Sequence, residues 1–304
     1  MVNVDFGVRL LSALLMIALP LAVGIALSRR WSVRWGLALV GVASFLLSQA
    51  GHLPFNSAVL NPLLARLGFG SGAVGGWPLA LSALLLGLSA GVFEEGARYL
   101  IYRLWIRTAR TYREAVVFGL GHGGAEAVIL GVLSLIQHVY LFSIQGRDLS
   151  AIVPPNQLEA ARAQLDLYWS MPAAISLLGS LERAFALVIQ IALSVIVLQA
   201  FVRRLGGLWF LAAVAWHALV DAVAVYAGVV WGISAGSVTG AVASEALVGL
   251  FALASLLILL RLRPHEPATV AQALVPLDTP PSVSPTQPPL RPERVDDTRY
   301  TTSG

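Results

Sequence analysis

The segment Gly91-Val-Phe-Glu94-Glu95-Gly-Ala-Arg98 interrupts an apolar stretch that runs from Trp77 to Tyr102. A stretch of this kind, about 20 residues or more, can cross a hydrocarbon core of about 30 Å at 1.5 Å per residue. Charged side chains inside such a span are costly and usually face the interior of a helix bundle. The segment therefore predicts a membrane helix that carries a polar site.

Apolar stretches of similar length recur on both sides of this segment. They predict an all-α protein, a polytopic membrane helix bundle with about seven transmembrane helices. The predicted spans are Phe6 to Leu27, Trp35 to Gly51, Trp77 to Tyr102, Ala115 to Ile144, Met171 to Val202, Leu208 to Trp231 and Gly236 to Leu260.

Two shorter helices are also compatible with the sequence. A half-membrane helix could form around Asn61 to Gly70, and Pro154-Pro155 is followed by a polar helical segment, Asn156 to Leu167. The latter is expected outside the membrane, where it could act as a lid. Residues 1–263 are thus expected to form the membrane domain, and the Pro-rich residues 264–304 a disordered cytoplasmic tail.

The basic residues indicate orientation and not nucleic-acid binding. All 20 are arginine, and with the N-terminus outside most of them fall on the cytoplasmic side, as the positive-inside rule requires. The predicted cytoplasmic group is Arg29, Arg30, Arg34, Arg103, Arg107, Arg110, Arg113, Arg203, Arg204, Arg261 and Arg263, and the external group is Arg9, Arg66, Arg147 and Arg162. We therefore predict a multi-pass cell-membrane protein with an external N-terminus and a cytoplasmic C-terminus.

The absence of cysteine excludes disulfides, thiolate nucleophiles and thiolate metal ligands. Chemistry inside the membrane must then use oxygen and nitrogen groups, and ionisable residues in the spans are candidates by default. These residues are Glu94, Glu95, Arg98, His122, Glu126, Glu182, Arg183, His217, Asp221 and Glu245.

Three of these residues come to one depth on separate helices. Counted from the cytoplasmic arginines, Glu94, His122 and His217 lie roughly 12 to 15 Å into the membrane at helical rise. Their imidazoles and carboxylate could bind Zn²⁺ with an open position, or polarise a water without metal. Asp221, one turn from His217, could hold the imidazole ring.

Structural interpretations compete with these assignments. The cluster around Arg98 could only fix helix packing, His122 could bond a carbonyl across helices, and Glu182 with Arg183 could be a structural pair. Three residues near external ends are expected to cap or line the interface, namely His52, His138 and Glu245. The role of Gln190, which shares a face with Glu182, is left open.

Three motifs on successive core helices carry a family resemblance. They are Glu94-Glu95-x-x-Arg98, Phe118-x-x-x-His122 and His217-x-x-x-Asp221. With them the chain resembles the YhfC-type intramembrane metalloproteases and, more distantly, the CAAX-processing and bacteriocin-maturing (CPBP) proteases and the PrsW proteases. The spacing to Arg98 is shorter than in CAAX proteases and is similar to PrsW, and Gln190 stands where YhfC-type relatives often have histidine.

The resemblance and the residues together predict an intramembrane peptidase acting on a membrane protein or peptide. The predicted catalytic residues are Glu94, Glu95, Arg98, His122, Glu126, His217 and Asp221, with His122, His217 and Glu95 as ligands of a Zn²⁺ ion. A glutamate would activate water with histidine help, with or without metal. Either Glu94 or Glu95 could be the base, and Arg98 would hold the other.

Two non-enzymatic functions remain open from the sequence. The same acids and histidines could form the proton relay of an ion-coupled transporter, or could merely specify the assembly of a membrane scaffold. Other protease classes fit poorly, because the chain has no His-Glu-x-x-His and no Gly-x-Gly-Asp motif. Gly-x-Ser-x-Gly occurs at Gly87 to Gly91 and Gly232 to Gly236, but without a strand-turn-helix context.

Overall fold

A computed structural model describes residues 2–31, 33–69, 75–233 and 236–264 of this chain. Most of these residues are helical. No strand occurs in those residues, which confirms the all-α class. The helices are α1 (Val2–Arg30), α2 (Gly36–Phe55), α3 (Asn61–Arg66), α4 (Gly76–Leu104), α5 (Tyr112–Ile144), α6 (Leu158–Ser170), α7 (Ser176–Val202), α8 (Gly206–Val230) and α9 (Val238–Leu262).

Seven helical segments in the described residues are long and apolar enough to cross a membrane, which confirms the predicted number. The predicted end of the second span was wrong, because α2 passes Gly51 and continues through a π-helical turn at Asn56–Leu60 into α3. The π-helical turn follows Pro54, which has no backbone N–H to donate. Consequently α3 extends the second span and is no separate half-membrane helix.

The core helix α5 has a strong start signal in its sequence. Thr111 accepts a hydrogen bond from the Glu114 backbone N–H, and the Glu114 carboxylate accepts one from the Thr111 N–H. This capping box satisfies donors that the first turn leaves open. The helix therefore begins at Tyr112, just before its glycine-rich centre.

Glycines let α5 pack closely against two neighbours. A methyl group at Gly121 would collide with the Ala38 carbonyl of α2, and one at Gly123 would lie 2.7 Å from the Gln190 Cβ of α7. Small residues of this kind allow helix backbones to approach in membranes. The close approach places His122, which lies between the two glycines, at the centre of the bundle.

The predicted polar helix after Pro155 is present as α6, shifted by a few residues. It is attached to α1 by Arg9, whose guanidinium donates to the Tyr168 and Met171 carbonyls at 3.1 and 2.7 Å. The predicted tail, apart from Pro264, lies outside the described residues.

Candidate active site

Glu94 is the centre of the polar groups inside the bundle. Its Oε2 lies 3.1 Å from His122 Nε2 of α5 and 3.9 Å from His217 Nε2 of α8. Its Oε1 accepts a hydrogen bond of 3.0 Å from Gln49 Nε2 of α2. With Gln190 of α7, which donates to Oε2 at 3.3 Å, one carboxylate on α4 is thus shared among side chains of four other helices.

Glu95, the next residue, has different partners. Its Oε1 accepts a hydrogen bond from Arg98 Nη1 and lies 2.7 Å from His217 Nδ1. Glu94 Oε2 is 3.9 Å from Arg98 Nη2, so Arg98 is bound to the second glutamate of the pair. Both Glu95 and Arg98 are fully buried, where an unpaired charge would be costly.

His217 is bound on both sides of its ring. Glu95 is the partner of Nδ1, while Asp221 Oδ2 lies 3.6 Å from Nε2, on the same ring nitrogen that faces Glu94. A carboxylate on one imidazole nitrogen fixes the ring and directs the other nitrogen toward the site. In the structure Glu95 is the carboxylate that fixes the ring, a role that the sequence had suggested for Asp221.

His122 is fully buried and has side-chain partners at both ring nitrogens. Its Nδ1 lies 3.3 Å from the Ser44 hydroxyl of α2, and its Nε2 faces Glu94. The Phe45 ring packs edge-on against the imidazole, with centroids 5.4 Å apart. Among the described residues the partners of the His122 ring are therefore a hydroxyl and a carboxylate, not a backbone carbonyl of a neighbouring helix.

Gln190 joins this centre to a second group of charges. Its Oε1 accepts from Arg98, and its Nε2 donates to Glu94 Oε2 at 3.3 Å and to Glu126 Oε2 at 3.1 Å. Because arginine can only donate, the amide orientation is fixed. Gln190 thus links Glu94 to Glu126, which was predicted as a site residue, through two hydrogen bonds.

The second group lies on α5 and α7. Arg183 Nη1 donates to Glu126 Oε1 at 2.6 Å, and Nη2 donates to the adjacent Glu182. Glu182 and Arg183 form an ion pair, as one interpretation of the sequence proposed. Arg183 is also paired with Glu126, so the three residues form one group. Glu245 of α9 is partly buried, and its Oε2 has no hydrogen-bond partner among the described residues.

Two residues of this site were missed in the sequence. Gln49 and Ser44 both lie on α2 and contact Glu94 and His122 respectively. Neither is ionisable, so the rule that selects charged groups in spans passes over them. Their spacing of five residues, close to one and a half turns, is only a weak signal.

The donor atoms of this site can be compared with the ligands that a metal ion requires. Two imidazole nitrogens and a carboxylate oxygen are the donor types of a catalytic zinc site, and His122 Nε2, His217 Nε2 and Glu94 Oε2 face one another. In the part of the chain that is described, however, no three such side chains form a ready metal-binding group. Glu95, predicted as a ligand, binds Arg98 and the far side of the His217 ring.

Comparisons with known proteins address the family. A family model described as YhfC intramembrane metalloprotease matches residues 15–242. The chain is 34% identical over 140 residues to "Uncharacterized membrane protein YhfC" of Bacillus subtilis (strain 168). That alignment covers 45% of this chain and 54% of the relative, so the chain spans about half the length of this relative. No solved structure gives a significant match. Because the family model covers most of the chain, this membrane protein belongs to the YhfC intramembrane metalloprotease family.

Proposed function

We propose that this chain is an intramembrane peptidase in which Glu94 activates the water that cleaves a peptide bond. The observation that carries the proposal is the position of Glu94 Oε2, which faces His122 Nε2 at 3.1 Å and His217 Nε2 at 3.9 Å. A carboxylate next to two imidazoles can accept a proton beside groups able to stabilise a developing negative charge. The substrate is a membrane protein or a membrane-proximal peptide.

The reaction needs one base and one proton donor, and Glu94 serves as both in turn. It takes a proton from water as the water oxygen bonds to the scissile carbonyl carbon. When the carbon–nitrogen bond breaks, Glu94 returns that proton to the leaving amine. Gln49 and Gln190 hold the two carboxylate oxygens during these steps, because each donates to one of them.

The two histidines have different roles. His217 acts on the carbonyl oxygen of the substrate, and His122 contacts the base Glu94. His217 is oriented by Glu95, which accepts from Nδ1–H, and the ring donates to the oxyanion through Nε2 when both of its nitrogens carry a proton. His122 is oriented by Ser44 and keeps Nε2 on the Glu94 carboxylate. Arg98 neutralises Glu95, so the second acid does not compete with Glu94 for the water proton.

A divalent metal such as Zn²⁺ fits the donor chemistry here, and His122 and His217 would hold it. When bound it would polarise the scissile carbonyl as a Lewis acid, in place of the proton on His217 Nε2. Glu94 would remain the base.

The experiment that tests the proposal compares membrane peptides from cells that carry the wild type or a Glu94→Gln variant. We expect cleavage products that depend on the wild type to disappear in the variant. A Glu159→Gln variant, with the same chemical change on the exposed helix α6, is the matched control and should retain the products. Identical peptides in Glu94→Gln and wild-type membranes would overturn the peptidase and favour a transporter.

A further inference from the structure

Hydrolysis at Glu94 requires water in a centre that is nearly closed. The Glu94 side chain is 8% exposed, and the side chains of Glu95 and Arg98 are fully buried. Water is a reactant of the proposed peptidase, so the following inference rests on that proposal. The question is which side of the bundle supplies it.

The side toward the end of α4 is filled with large aromatic and aliphatic side chains. Tyr102, one turn after Arg98, is fully buried, and its ring lies 5.0 Å from the Phe118 ring and 5.6 Å from the Phe201 ring. Leu193, nearly one turn after Gln190 on α7, is also fully buried. These tightly packed side chains close the site on the side toward the end of α4.

The opposite direction contains a continuous chain of polar side chains. Gln190 Nε2 donates to Glu126 Oε2 at 3.1 Å, Arg183 Nη1 donates to Glu126 Oε1 at 2.6 Å, and Arg183 also binds Glu182. From Gln190 to Arg183 the helix rises about 10 Å toward the start of α7. Every step in this direction offers a hydrogen-bonding group.

The carboxylates become more exposed in the same direction. The side chains of Glu94, Glu126 and Glu182 are 8%, 22% and 41% exposed. All three lie in membrane-spanning helices, where lipid does not tolerate an exposed carboxylate. The exposed surfaces of Glu126 and Glu182 must therefore face water.

Asp221 opens onto the same side. Its side chain is 39% exposed and lies 3.6 Å from His217 Nε2. Partly exposed carboxylates of three helices, Glu126, Glu182 and Asp221, thus lie near the site.

We propose that the chain of Glu182, Arg183, Glu126 and Gln190 is the route by which water enters the site from the membrane side on which α7 begins. Gln190 is the inner end of the route, since its amide nitrogen contacts both Glu126 and Glu94 while Arg98 holds its oxygen. Glu126 is a positioning residue of this route and does not touch the reacting atoms.

Accessibility of single cysteines tests the route directly, because the chain contains no cysteine of its own. Ala186 lies on the α7 face between Glu182 and Gln190, whereas Ala192 of the same helix is fully buried. A membrane-impermeant methanethiosulfonate reagent, added to either side of sealed vesicles, should modify an Ala186→Cys variant only from the side where α7 begins. An Ala192→Cys variant should stay unmodified. Protection of the Ala186→Cys variant from both sides, or reaction from the other side, would overturn the route.

A kinetic test follows the water itself. A Glu126→Leu variant should lower kcat by roughly tenfold or more with little change in KM, while Glu126→Gln should keep most of kcat. Gln199→Leu, a buried change on α7 away from the route, is the control expected to keep wild-type kcat. Full kcat in Glu126→Leu would show that water enters elsewhere. The labelling result does not depend on cleavage, so a failed route and a failed peptidase are told apart.

Discussion

Glu94 and Glu95 are neighbours in sequence, yet Arg98 forms its hydrogen bond with Glu95, while Glu94 Oε2 lies 3.9 Å from Arg98 Nη2 and faces His122. Glu94 lies four residues before Arg98 and Glu95 lies three residues before it, and both spacings allow an ion pair on a helix. The structure therefore separates two acids that the sequence presents as equivalent. Glu95 has the surroundings of an ion-paired structural group, and Glu94 those of a base.

This separation predicts different losses for the two Gln variants. Glu94→Gln should lower cleavage by roughly 10²- to 10⁴-fold, the usual contribution of a general base, and lower the unfolding temperature in detergent less than Glu95→Gln does. Glu95→Gln leaves Arg98 as a buried charge without its carboxylate, which costs about 3–5 kcal/mol, so its unfolding temperature should fall. An equal fall in unfolding temperature for both variants would contradict the separation.

Metal content is a second prediction, since His122 and His217 are the imidazoles that face Glu94. Purified wild-type protein should retain a divalent metal through gel filtration, and a His122→Ala, His217→Ala double variant should lose it. Elemental analysis measures the content, with a His138→Ala variant as the control, because His138 contacts Tyr168 away from the site. Equal metal in the wild type and the double variant would show that these histidines do not hold it.

The helices were predictable because hydropathy and length decide a membrane span with little help from neighbours. The exception is the end of the second span, where Gly51-His52-Leu53-Pro54 reads as a break. A π-helical turn carries the chain past Pro54 into α3, and such a turn has no reliable sequence signal.

The candidate site was predictable where the residues are ionisable. Glu94, His122 and His217 stand out because charge in a span is costly. Gln49 does not, since a neutral amide in a span carries a smaller cost and its partner is set only when α2 packs on α4. Gln190 shared a face with Glu182 in the sequence, but its link to Glu126 depends on how closely α5 and α7 approach at Gly123.

The orientation of the bundle is a prediction of the arginine distribution. Reporter fusions after Arg30, Arg110 and Arg204 should be read as cytoplasmic, because each follows a basic cluster at one end of a span. A fusion after Arg147, between α5 and α6, should be read as external. External readings at two of the first three positions would overturn the orientation, and would also reverse the side from which water reaches Glu182.

The last prediction concerns how Arg9 fixes α6. The Arg9 guanidinium is buried, donates to the carbonyls of Tyr168 and Met171, and lies 4.3 Å from the centre of the Tyr168 ring. These contacts join the end of α6 to α1, and removing a charged donor from two carbonyls costs about 1.5–3 kcal/mol locally. An Arg9→Ala variant should therefore exchange the amide hydrogens of residues 158–171 faster than the wild type, while α7 keeps its protection. An Arg162→Ala variant, which removes an exposed arginine of α6 itself, is the control. Unchanged exchange in Arg9→Ala would mean that other contacts of α6, such as Tyr168 with His138, are sufficient to hold it.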